Sequence, residues 1–294
     1  MNSRSISASQ SGQFLIGGDL SIQRLGFGTM RLVGEGAWGE PADPAAAHHV
    51  LRRAVELGIT LIDTADAYGP EIAERLICEA LAPYPTDLLI ATKGGITRQG
   101  PSKSEYVGRA GYLIQCVEMS LRRLKLECID LYQLHRIDAR TPLEESLGAL
   151  KKMQEQGKIR HIGLSEVSPV EIEEAQKIVN IVTVQNRYSL SDRRHEETLN
   201  YCTQHNIGFL PWYPMAAGKQ LRADHPSAQS LTAIADQHSA TLAQISLAWL
   251  LQRSPVVLPI PGTSKVAHLE ENVAASALLL SAEEWTAVES SVIA

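Results

Sequence analysis

The sequence lacks an apolar stretch long enough for a membrane-spanning helix, which needs about 20 consecutive apolar residues. Its first residues, MNSRSISASQSGQ, are polar and rich in serine, and they lack the apolar core of a signal peptide. These two absences predict a cytoplasmic protein that does not associate with membranes. The polar start also predicts a disordered tail over residues 1–12.

Basic residues are slightly outnumbered, since 27 Lys and Arg against 33 Asp and Glu give a formal net charge of -6. No basic run is long enough to follow a phosphate backbone, which argues against nucleic acid as a partner. The few cysteines, Cys78, Cys116, Cys128 and Cys202, are scattered and have no histidine at metal-binding spacing. They predict free thiols and argue against structural zinc, a catalytic metal cluster or a disulfide framework.

Short apolar runs alternate with longer amphipathic segments. The short runs predict strands at Ile22–Gly28, Thr60–Ile62, Leu88–Thr92, Ile129–Leu134, His161–Leu164, Val182–Gln185, Gly208–Trp212 and Val256–Pro259. Several are apolar throughout, which is typical of parallel strands covered on both faces. The amphipathic segments predict helices at Ala45–Leu57, Ile72–Leu81, Tyr112–Leu124, Leu143–Gln156, Pro169–Val179, Leu190–Gln204, Ser230–His238, Leu242–Gln252, Lys265–Ala275 and Ala282–Ser290.

This alternation, without a linker-like gap, predicts an α/β fold: one (β/α)8 TIM barrel over residues 13–294. Gln13–Ile16 and Leu20–Ile22 flank Gly17-Gly18-Asp19, which predicts an N-terminal β-hairpin. A doubly wound sheet is the alternative fold. It is weakened because no Gly-x-Gly-x-x-Gly motif follows the first strand.

Polar side chains follow three of the predicted strands, at the end of a barrel where functional residues lie. Asp63 follows Thr60–Ile62 with Tyr68 in the same loop, Lys93 follows Leu88–Thr92, and His135 follows Ile129–Leu134. Taken singly, they fit a helix cap, a packing tyrosine, a solvated lysine and a core histidine. Their convergence on one rim favours a reaction centre.

The four residue types suit reduction of a carbonyl group. A free tyrosine has a pKa of about 10, and a neighbouring Lys93 is expected to lower the pKa of Tyr68. Asp63 can keep the lysine charged, and His135 can donate a hydrogen bond to the carbonyl oxygen. Since no side chain supplies a hydride, a cofactor must.

Ordered motifs along the chain resemble those of the aldo-keto reductase family, from about Gln13 to the last helix. They are residues 58–69 (GITLIDTADAYG), Ala91-Thr92-Lys93, residues 131–135 (LYQLH), residues 162–165 (IGLS), Val184-Gln185-Asn186, residues 260–265 (IPGTSK) and residues 268–272 (HLEEN). The resemblance implies NADPH-dependent reduction of an aldehyde or ketone to an alcohol. It makes Tyr68 the general acid, tuned by Lys93 and Asp63, and His135 the residue that orients the carbonyl.

The resemblance also implies a cofactor site. Ser165 and Gln185 would hold the nicotinamide carboxamide, and Trp212 would stack on the nicotinamide ring. The other implied cofactor residues are Gly28, Thr29, Met30 and Asp63 near the nicotinamide half, and Gly262, Thr263, Ser264, Lys265, His268, Glu271 and Asn272 near the adenosine half. The hydroxyls and cation of residues 263–265 suit a 2'-phosphate, which favours NADPH over NADH.

One position departs from the family pattern. After Gly163-Leu164-Ser165 the family usually has Asn, and this chain has Glu166. An ionised glutamate accepts hydrogen bonds but cannot donate one to a carboxamide oxygen. Glu166 is therefore expected to turn away from the cofactor or to weaken its binding.

Substrate choice is expected to depend on Met30, Arg31, Trp38, Tyr68 and Arg136. Residues 31–43 predict a mobile flap, residues 94–104 predict a flexible polar loop, and either arginine can attract a phenolate, carboxylate or phosphate. The pattern loosely resembles a bacterial branch that includes pyridoxal reductases; pyridoxal, aromatic aldehydes and small α-dicarbonyls are all compatible with it. Nothing in the sequence demands an oligomer, and barrels of this type can work as monomers.

Two other functions remain open at this point. The first is an NADPH-binding regulatory or sensor protein with little turnover, because a fold does not guarantee catalysis. The second is a lyase in which Lys93 forms a Schiff base. The lyase leaves the motifs after Ile260 unexplained.

Overall fold

A computed structural model describes residues 6–215 and 226–291 of the 294-residue chain. Its strands are β1 (Gln13–Ile16), β2 (Leu20–Gln23), β3 (Phe27–Gly28), β4 (Leu61–Asp63), β5 (Leu89–Gly94), β6 (Ile96–Gly100), β7 (Lys103–Tyr106), β8 (Ile129–Leu134), β9 (Ile159–Ser165), β10 (Ile181–Gln185) and β11 (Gly208–Phe209). Its α-helices are α1 (Pro44–Glu56), α2 (Ile72–Leu81), α3 (Ala110–Leu124), α4 (Leu143–Glu155), α5 (Pro169–Gln176), α6 (Glu196–His205), α7 (Pro226–Gln237), α8 (Leu242–Arg253), α9 (Val266–Ala274) and α10 (Ala282–Ser290).

The centre of the fold is a parallel seven-stranded sheet in the order β11-β10-β9-β8-β5-β4-β3. Apart from the inserted β6–β7 pair, neighbours in the sheet are also neighbours in the chain. A doubly wound sheet reverses its strand order partway across, so that alternative is wrong. Every residue of β5 and β10 is buried, which explains why these strands show no alternation of polar and apolar residues.

Helix starts follow local capping chemistry. The Asp43 side chain accepts a hydrogen bond from the Ala46 amide at the start of α1. Ser168, Thr241 and Ser281 each form a capping box with the residue three positions later. These caps explain why most predicted helix starts lie within two residues of the observed ones. The predicted helix from Leu190 begins only at Glu196, because residues 189–192 form a turn closed by the Ser189 and Asp192 backbones.

The predicted strand Val256–Pro259 is wrong as a regular strand. Its Val257 forms only an isolated bridge to Phe209, because Pro255, Pro259 and Pro261 have no amide hydrogen to continue a ladder. The segment still forms backbone hydrogen bonds with β11 on one side and with the residues before β3 on the other. The Phe209 amide donates to the Val256 carbonyl at 2.8 Å, and the Gly26 amide donates to the Pro259 carbonyl at 2.9 Å.

The N-terminal region is more ordered than predicted. β1 and β2 pair antiparallel through the turn at residues 17–19. The prediction of a disordered tail is wrong for residues 6–12, which include a 3-10 helix at Ala8–Ser11. The fully buried Ala8 donates its amide to the Leu57 carbonyl at 2.8 Å, and Ser11 Oγ accepts from the Leu25 amide at 3.0 Å. Residues 1–5 of the predicted tail lie outside the described residues.

Two further segments differ from the predictions. Residues 94–104 were predicted as a flexible loop, but most of them belong to the antiparallel pair β6–β7, which spans residues 96–106. Residues 31–43, predicted as a mobile flap, contain short 3-10 turns and are fastened to their neighbours. The Gly39 amide donates to the Gly69 carbonyl at 2.6 Å, and the Ser102 amide donates to the Gly36 carbonyl at 3.0 Å. Of the helices in the described ranges, none has both the length and the apolar character to cross a bilayer.

Candidate active site

A buried ion pair lies at the carboxyl ends of β4 and β5. The parallel register aligns Asp63 with Ala91, two residues before Lys93. Lys93 Nζ donates to Asp63 Oδ2 at 2.7 Å and to the Thr64 carbonyl at 2.8 Å. Lys93 is fully buried and Asp63 is 2% exposed, so the two charges depend on each other for compensation.

The second oxygen of the aspartate is held by two amides. Gln185 Nε2 donates to Asp63 Oδ1 at 2.8 Å, and Gln133 Nε2 donates to the same oxygen at 3.3 Å. Strands β8 and β10 therefore help to fix a carboxylate that belongs to β4. This network leaves Asp63 little freedom to rotate.

Tyr68 and His135 lie beside the ion pair. Lys93 Nζ lies 3.5 Å from Tyr68 Oη and 5.2 Å from the centre of the phenol ring. The tyrosine and histidine rings meet edge to face, with centres 6.0 Å apart. The structure thus brings all four predicted catalytic side chains together.

The pKa of Tyr68 reflects two opposing effects. Burial raises the pKa above the usual range and outweighs the charge of Lys93, which lowers it as predicted. Burial also disfavours the charged form of Lys93, but Asp63 outweighs this and the pKa of the lysine is raised. At neutral pH the site therefore holds a protonated phenol beside an ammonium group.

His135 is neutral. Burial, followed by the charges of Lys93, Arg136 and Arg98, holds its pKa well below the usual value. A neutral imidazole has one N–H and one acceptor nitrogen. The buried Nδ1 of His135 has no hydrogen-bond partner among the described residues.

These groups open onto a cavity of about 350 Å³. Its lining includes three of the predicted catalytic residues, Asp63, Tyr68 and His135, with Lys93 behind them. The predicted cofactor and substrate residues that also line it are Gly28, Met30, Arg31, Arg136, Ser165, Gln185, Trp212 and Gly262.

Other predicted residues lie elsewhere. Trp38, a predicted substrate residue, does not line the cavity; its backbone forms a bridge with Gly69, and its side chain is 37% exposed. Thr29 is fully buried, and both its amide and its hydroxyl donate to the Asp63 carbonyl. The predicted adenosine-side residues lie outside this cavity, in the loop before α9 and on that helix: Thr263, Ser264, Lys265, His268, Glu271 and Asn272.

Sequence reasoning missed the contribution of the β6–β7 hairpin, which lines the cavity with Ile96, Arg98, Ser104 and Tyr106. The available signal was the turn-forming Gly100-Pro101-Ser102, but the flanking segments are mostly polar and show no strand alternation. It also missed three residues that follow Trp212: Tyr213, Pro214 and Met215. Nothing in that short stretch of sequence distinguishes it from an ordinary loop.

Two polar side chains are available for an amide group in the cavity. Ser165 Oγ accepts from Arg136 Nη1 at 2.8 Å, which leaves its hydroxyl hydrogen free to donate. Gln185 uses its Nε2 for Asp63, and its amide oxygen Oε1 can accept a hydrogen bond. Together they offer one donor and one acceptor, the complement of a carboxamide.

Glu166 points away from the cavity and holds Trp212. Its backbone adopts a left-handed φ of 59°, which is uncommon for a residue other than glycine. Its Oε1 accepts from the Trp212 indole N–H and from the Arg187 amide, both at 2.6 Å. Burial favours the neutral form, but hydrogen bonds from His195, Trp212 and Arg187 outweigh it and lower the pKa of Glu166 to about 2.

Two glycines make a close backbone contact at the cavity wall. A Cβ at Gly28 would lie 2.7 Å from the Ile260 carbonyl oxygen, and one at Gly262 would lie 2.6 Å from the Gly28 carbonyl oxygen. Neither position can carry a larger residue without moving the backbone. Glycine here leaves this wall without side chains.

The start of α9 has features that suit a phosphate-bearing ligand. Lys265 precedes the helix without a side-chain cap, so amides of the first turn remain free. The buried Asn272 Nδ2 has no partner among the described residues. By contrast, no group of three His, Cys, Asp or Glu side chains in the described ranges is placed to hold a metal ion.

The chain is similar to known proteins in sequence and in fold. The model of the Aldo/keto reductase family matches residues 24–293. A Schizosaccharomyces pombe protein described as an uncharacterized oxidoreductase is 46% identical over 287 residues, covering 98% of this chain and 92% of the relative. The Escherichia coli pyridoxine 4-dehydrogenase is 41% identical over 272 residues, covering 90% and 93%.

A solved structure of an aldo-keto reductase from Klebsiella pneumoniae in complex with NADPH is also similar. Its TM-score is 0.80 at 26% identity, with 95% of this chain and 94% of that chain covered. The match to the family model alone spans far more than half of the sequence. The chain belongs to the aldo/keto reductase family.

Proposed function

We propose that this protein uses NADPH to reduce an aldehyde or ketone to an alcohol, with Tyr68 as the proton donor. The observation that carries the proposal is the buried Asp63–Lys93 pair beside Tyr68 and a neutral His135, all at one cavity. Membership of the aldo/keto reductase family supports an oxidoreductase, and the Klebsiella relative was solved with NADPH.

The residues present fit that cofactor. Ser165 and Gln185 offer a donor and an acceptor for the carboxamide, Trp212 offers an aromatic face, and the Gly28–Gly262 contact leaves a wall without side chains. Lys265 and the buried, unpaired Asn272 Nδ2 would serve the adenosine phosphate end. When bound, the nicotinamide supplies the hydride.

The chain's own residues handle the proton. The raised pKa of Tyr68 keeps its phenol protonated at neutral pH, as a proton donor must be. As the carbonyl oxygen gains negative charge, the phenol and one imidazole N–H can each donate to it. After the proton leaves, Lys93 at 3.5 Å stabilises the phenolate, and Asp63 keeps the lysine charged.

The protonated state of Lys93 also disfavours the lyase alternative. A Schiff base needs a neutral amine, and this lysine is fully buried with three acceptors around its Nζ. Ion pairing with Asp63 raises its pKa and so removes the nucleophilic form. We therefore assign Lys93 to tuning of Tyr68.

The closure of the barrel, the oligomeric state, the cellular location and the substrate are not established. We propose that residues 256–261 take the eighth position of a closed barrel, because they bond to both β11 and the residues around β3. A monomeric state and a cytoplasmic location stay predictions. Pyridoxal is a candidate substrate because the Escherichia coli relative is a pyridoxine 4-dehydrogenase.

The test is NADPH oxidation, followed by its near-ultraviolet absorbance, with 4-nitrobenzaldehyde, methylglyoxal and pyridoxal in parallel. We expect Tyr68→Phe to lose the rate at least about 100-fold, the usual contribution of a general acid. Tyr201→Phe is the matched control, because its hydroxyl bonds only to Gln176 on the outer surface. Binding of NADPH without turnover of any aldehyde would instead favour the regulatory or sensor function.

A further inference from the structure

One face of the β6–β7 hairpin forms a wall of the cavity. The register pairs Ile96 with Tyr106 and Arg98 with Ser104. Side chains alternate along a strand, so these four residues share a face, and all four line the cavity. The guanidinium of Arg98 is therefore presented toward the cavity by regular strand geometry.

Backbone contacts fix two guanidinium groups near the reaction centre. Arg98 Nε donates to the Ala67 carbonyl at 2.7 Å, immediately before Tyr68 in the chain. Arg136 Nη1 donates to the His135 carbonyl at 2.6 Å and to Ser165 Oγ at 2.8 Å. Each guanidinium has five N–H donors, so each retains several free donors.

Neither arginine has a carboxylate partner. No Asp or Glu oxygen of the described residues lies within 4.0 Å of the nitrogens of Arg98 or Arg136, whereas nine of the fourteen other described arginines form such pairs. Asp63, the carboxylate among the described lining residues, is engaged by Lys93. Glu166 is engaged by Trp212 and Arg187.

As far as the described lining residues go, the cavity therefore carries positive charge without a matching anion. Both arginines are only partly exposed, and partial burial of an unpaired charge costs free energy. Burial accordingly lowers the pKa of Arg98. A bound anion removes this cost and gains charge-assisted hydrogen bonds.

We propose that Arg98 and Arg136 form an anion subsite that selects carbonyl substrates bearing a carboxylate or phosphate group. This inference rests on the proposed reductase function. Ile96 and Tyr106 beside Arg98, with Trp212 and Met215 elsewhere on the lining, suit an apolar body between the carbonyl and the anion. Arg31 also lines the cavity, but its side chain lies next to Gly262, on the wall assigned to the cofactor.

The test compares two aldehydes that differ in one charge, 4-carboxybenzaldehyde and its methyl ester, in NADPH oxidation. Wild type is expected to prefer the carboxylate in kcat/KM. Arg98→Gln is expected to lower the carboxylate-to-ester ratio about tenfold, through a higher KM for the carboxylate, and Arg98→Lys to restore part of it. An unchanged ratio in Arg98→Gln overturns the subsite.

Arg52→Gln is the matched control. Arg52 also donates through Nε to a backbone carbonyl, that of Ala80, but it lies on the exposed side of α1. Its substitution should leave both aldehydes unaffected. Arg136→Gln should act in the same direction as Arg98→Gln, although its contact with Ser165 makes Arg98 the decisive position.

Two binding measurements distinguish a failure of the anion subsite from a failure of the proposed reductase function. The Kd for NADPH should be unchanged in Arg98→Gln; equal losses for NADPH and the carboxylate would mean that Arg98 serves the phosphates of the cofactor, and would overturn the proposal. The second measures 4-(hydroxymethyl)benzoate and its methyl ester on NADP+-loaded protein by calorimetry. A preference for the acid that depends on Arg98 supports the subsite even without turnover, and only the reductase function then fails.

Discussion

Replacing Glu166 by glutamine removes one charge and keeps the side-chain length and the left-handed backbone. The pKa of Glu166 falls from its usual 4.5 to about 2 in the folded protein. Each pKa unit is worth about 1.4 kcal/mol, so the ionised form stabilises the fold by about 3 kcal/mol. The side chain is 23% exposed, which leaves little room for solvent screening.

The hydrogen bonds give a similar magnitude. Glu166 accepts from the Trp212 indole and from the Arg187 amide, both at 2.6 Å. A charged acceptor is worth roughly 1 to 1.5 kcal/mol more than a neutral one for each bond. Two bonds therefore predict that Glu166→Gln loses about 2 to 3 kcal/mol at neutral pH. For a chain of 294 residues, the melting temperature should fall by about 3 to 5 °C.

The pH dependence has a definite sign. Because the folded-state pKa is lowered, the stabilisation is complete above pH 4.5 and is lost as the pH falls toward 2. Wild type should therefore lose stability over this window, and Glu166→Gln should lose less, in calorimetric unfolding measured from neutral to acid pH. Glu174→Gln is the control, since Glu174 pairs with Lys177 on the exposed surface. If Glu166→Gln matches wild type at both ends of the window, this account of Glu166 is refuted.

Two further changes test the cofactor side. Lys265→Glu should raise the Kd for NADPH much more than that for NADH in fluorescence titration, because a cation next to a 2'-phosphate becomes an anion; equal losses would contradict the assignment. Gly262→Ala places a Cβ 2.6 Å from the Gly28 carbonyl oxygen and should cost about 1 to 3 kcal/mol of stability and weaken NADPH binding. Gly148→Ala in α4, where nothing lies within 4 Å, should be neutral or slightly stabilising, and a similar loss there would mean that the close contact is not the cause.

Much of the fold could be predicted because the hydrophobic periodicity agrees with the residues that begin and end helices and strands. Ile72–Leu81 and Ala282–Ser290 match the observed helices residue for residue, since Pro83 follows the first closely and the Ser281 side chain caps the second. The segment 256–259 could not be assigned correctly from the sequence. Its apolar residues are typical of a strand, but three nearby prolines lack the amide hydrogens that a regular strand ladder needs. Residues 8–11 were missed because small polar residues give no signal until Leu57 and Leu25 are placed against them.

In the candidate site, too, some features could be predicted from the sequence and others could not. The convergence of Asp63, Lys93 and His135 follows from where parallel strands end, so sequence alone could predict it. The direction of the pKa of Tyr68 could not be predicted, because it depends on how far burial outweighs a charge 3.5 Å away. The role of Arg98 was hidden because it requires the register of a hairpin that the sequence presents as a polar loop.

The β6–β7 hairpin separates two tasks within one cavity. The reaction centre belongs to the parallel sheet, whereas four of the lining residues belong to a small unit outside it. That unit is tied to the rest of the protein mainly through backbone groups, such as the Ser102 amide on Gly36 and the Val107 amide on Gly95. Apart from Arg98, which bonds to the Ala67 carbonyl beside Tyr68, its side chains can therefore be exchanged without disturbing the sheet or the proton donor. This arrangement makes the hairpin an interchangeable module, the natural place for evolution or an engineer to give the same chemistry a new substrate.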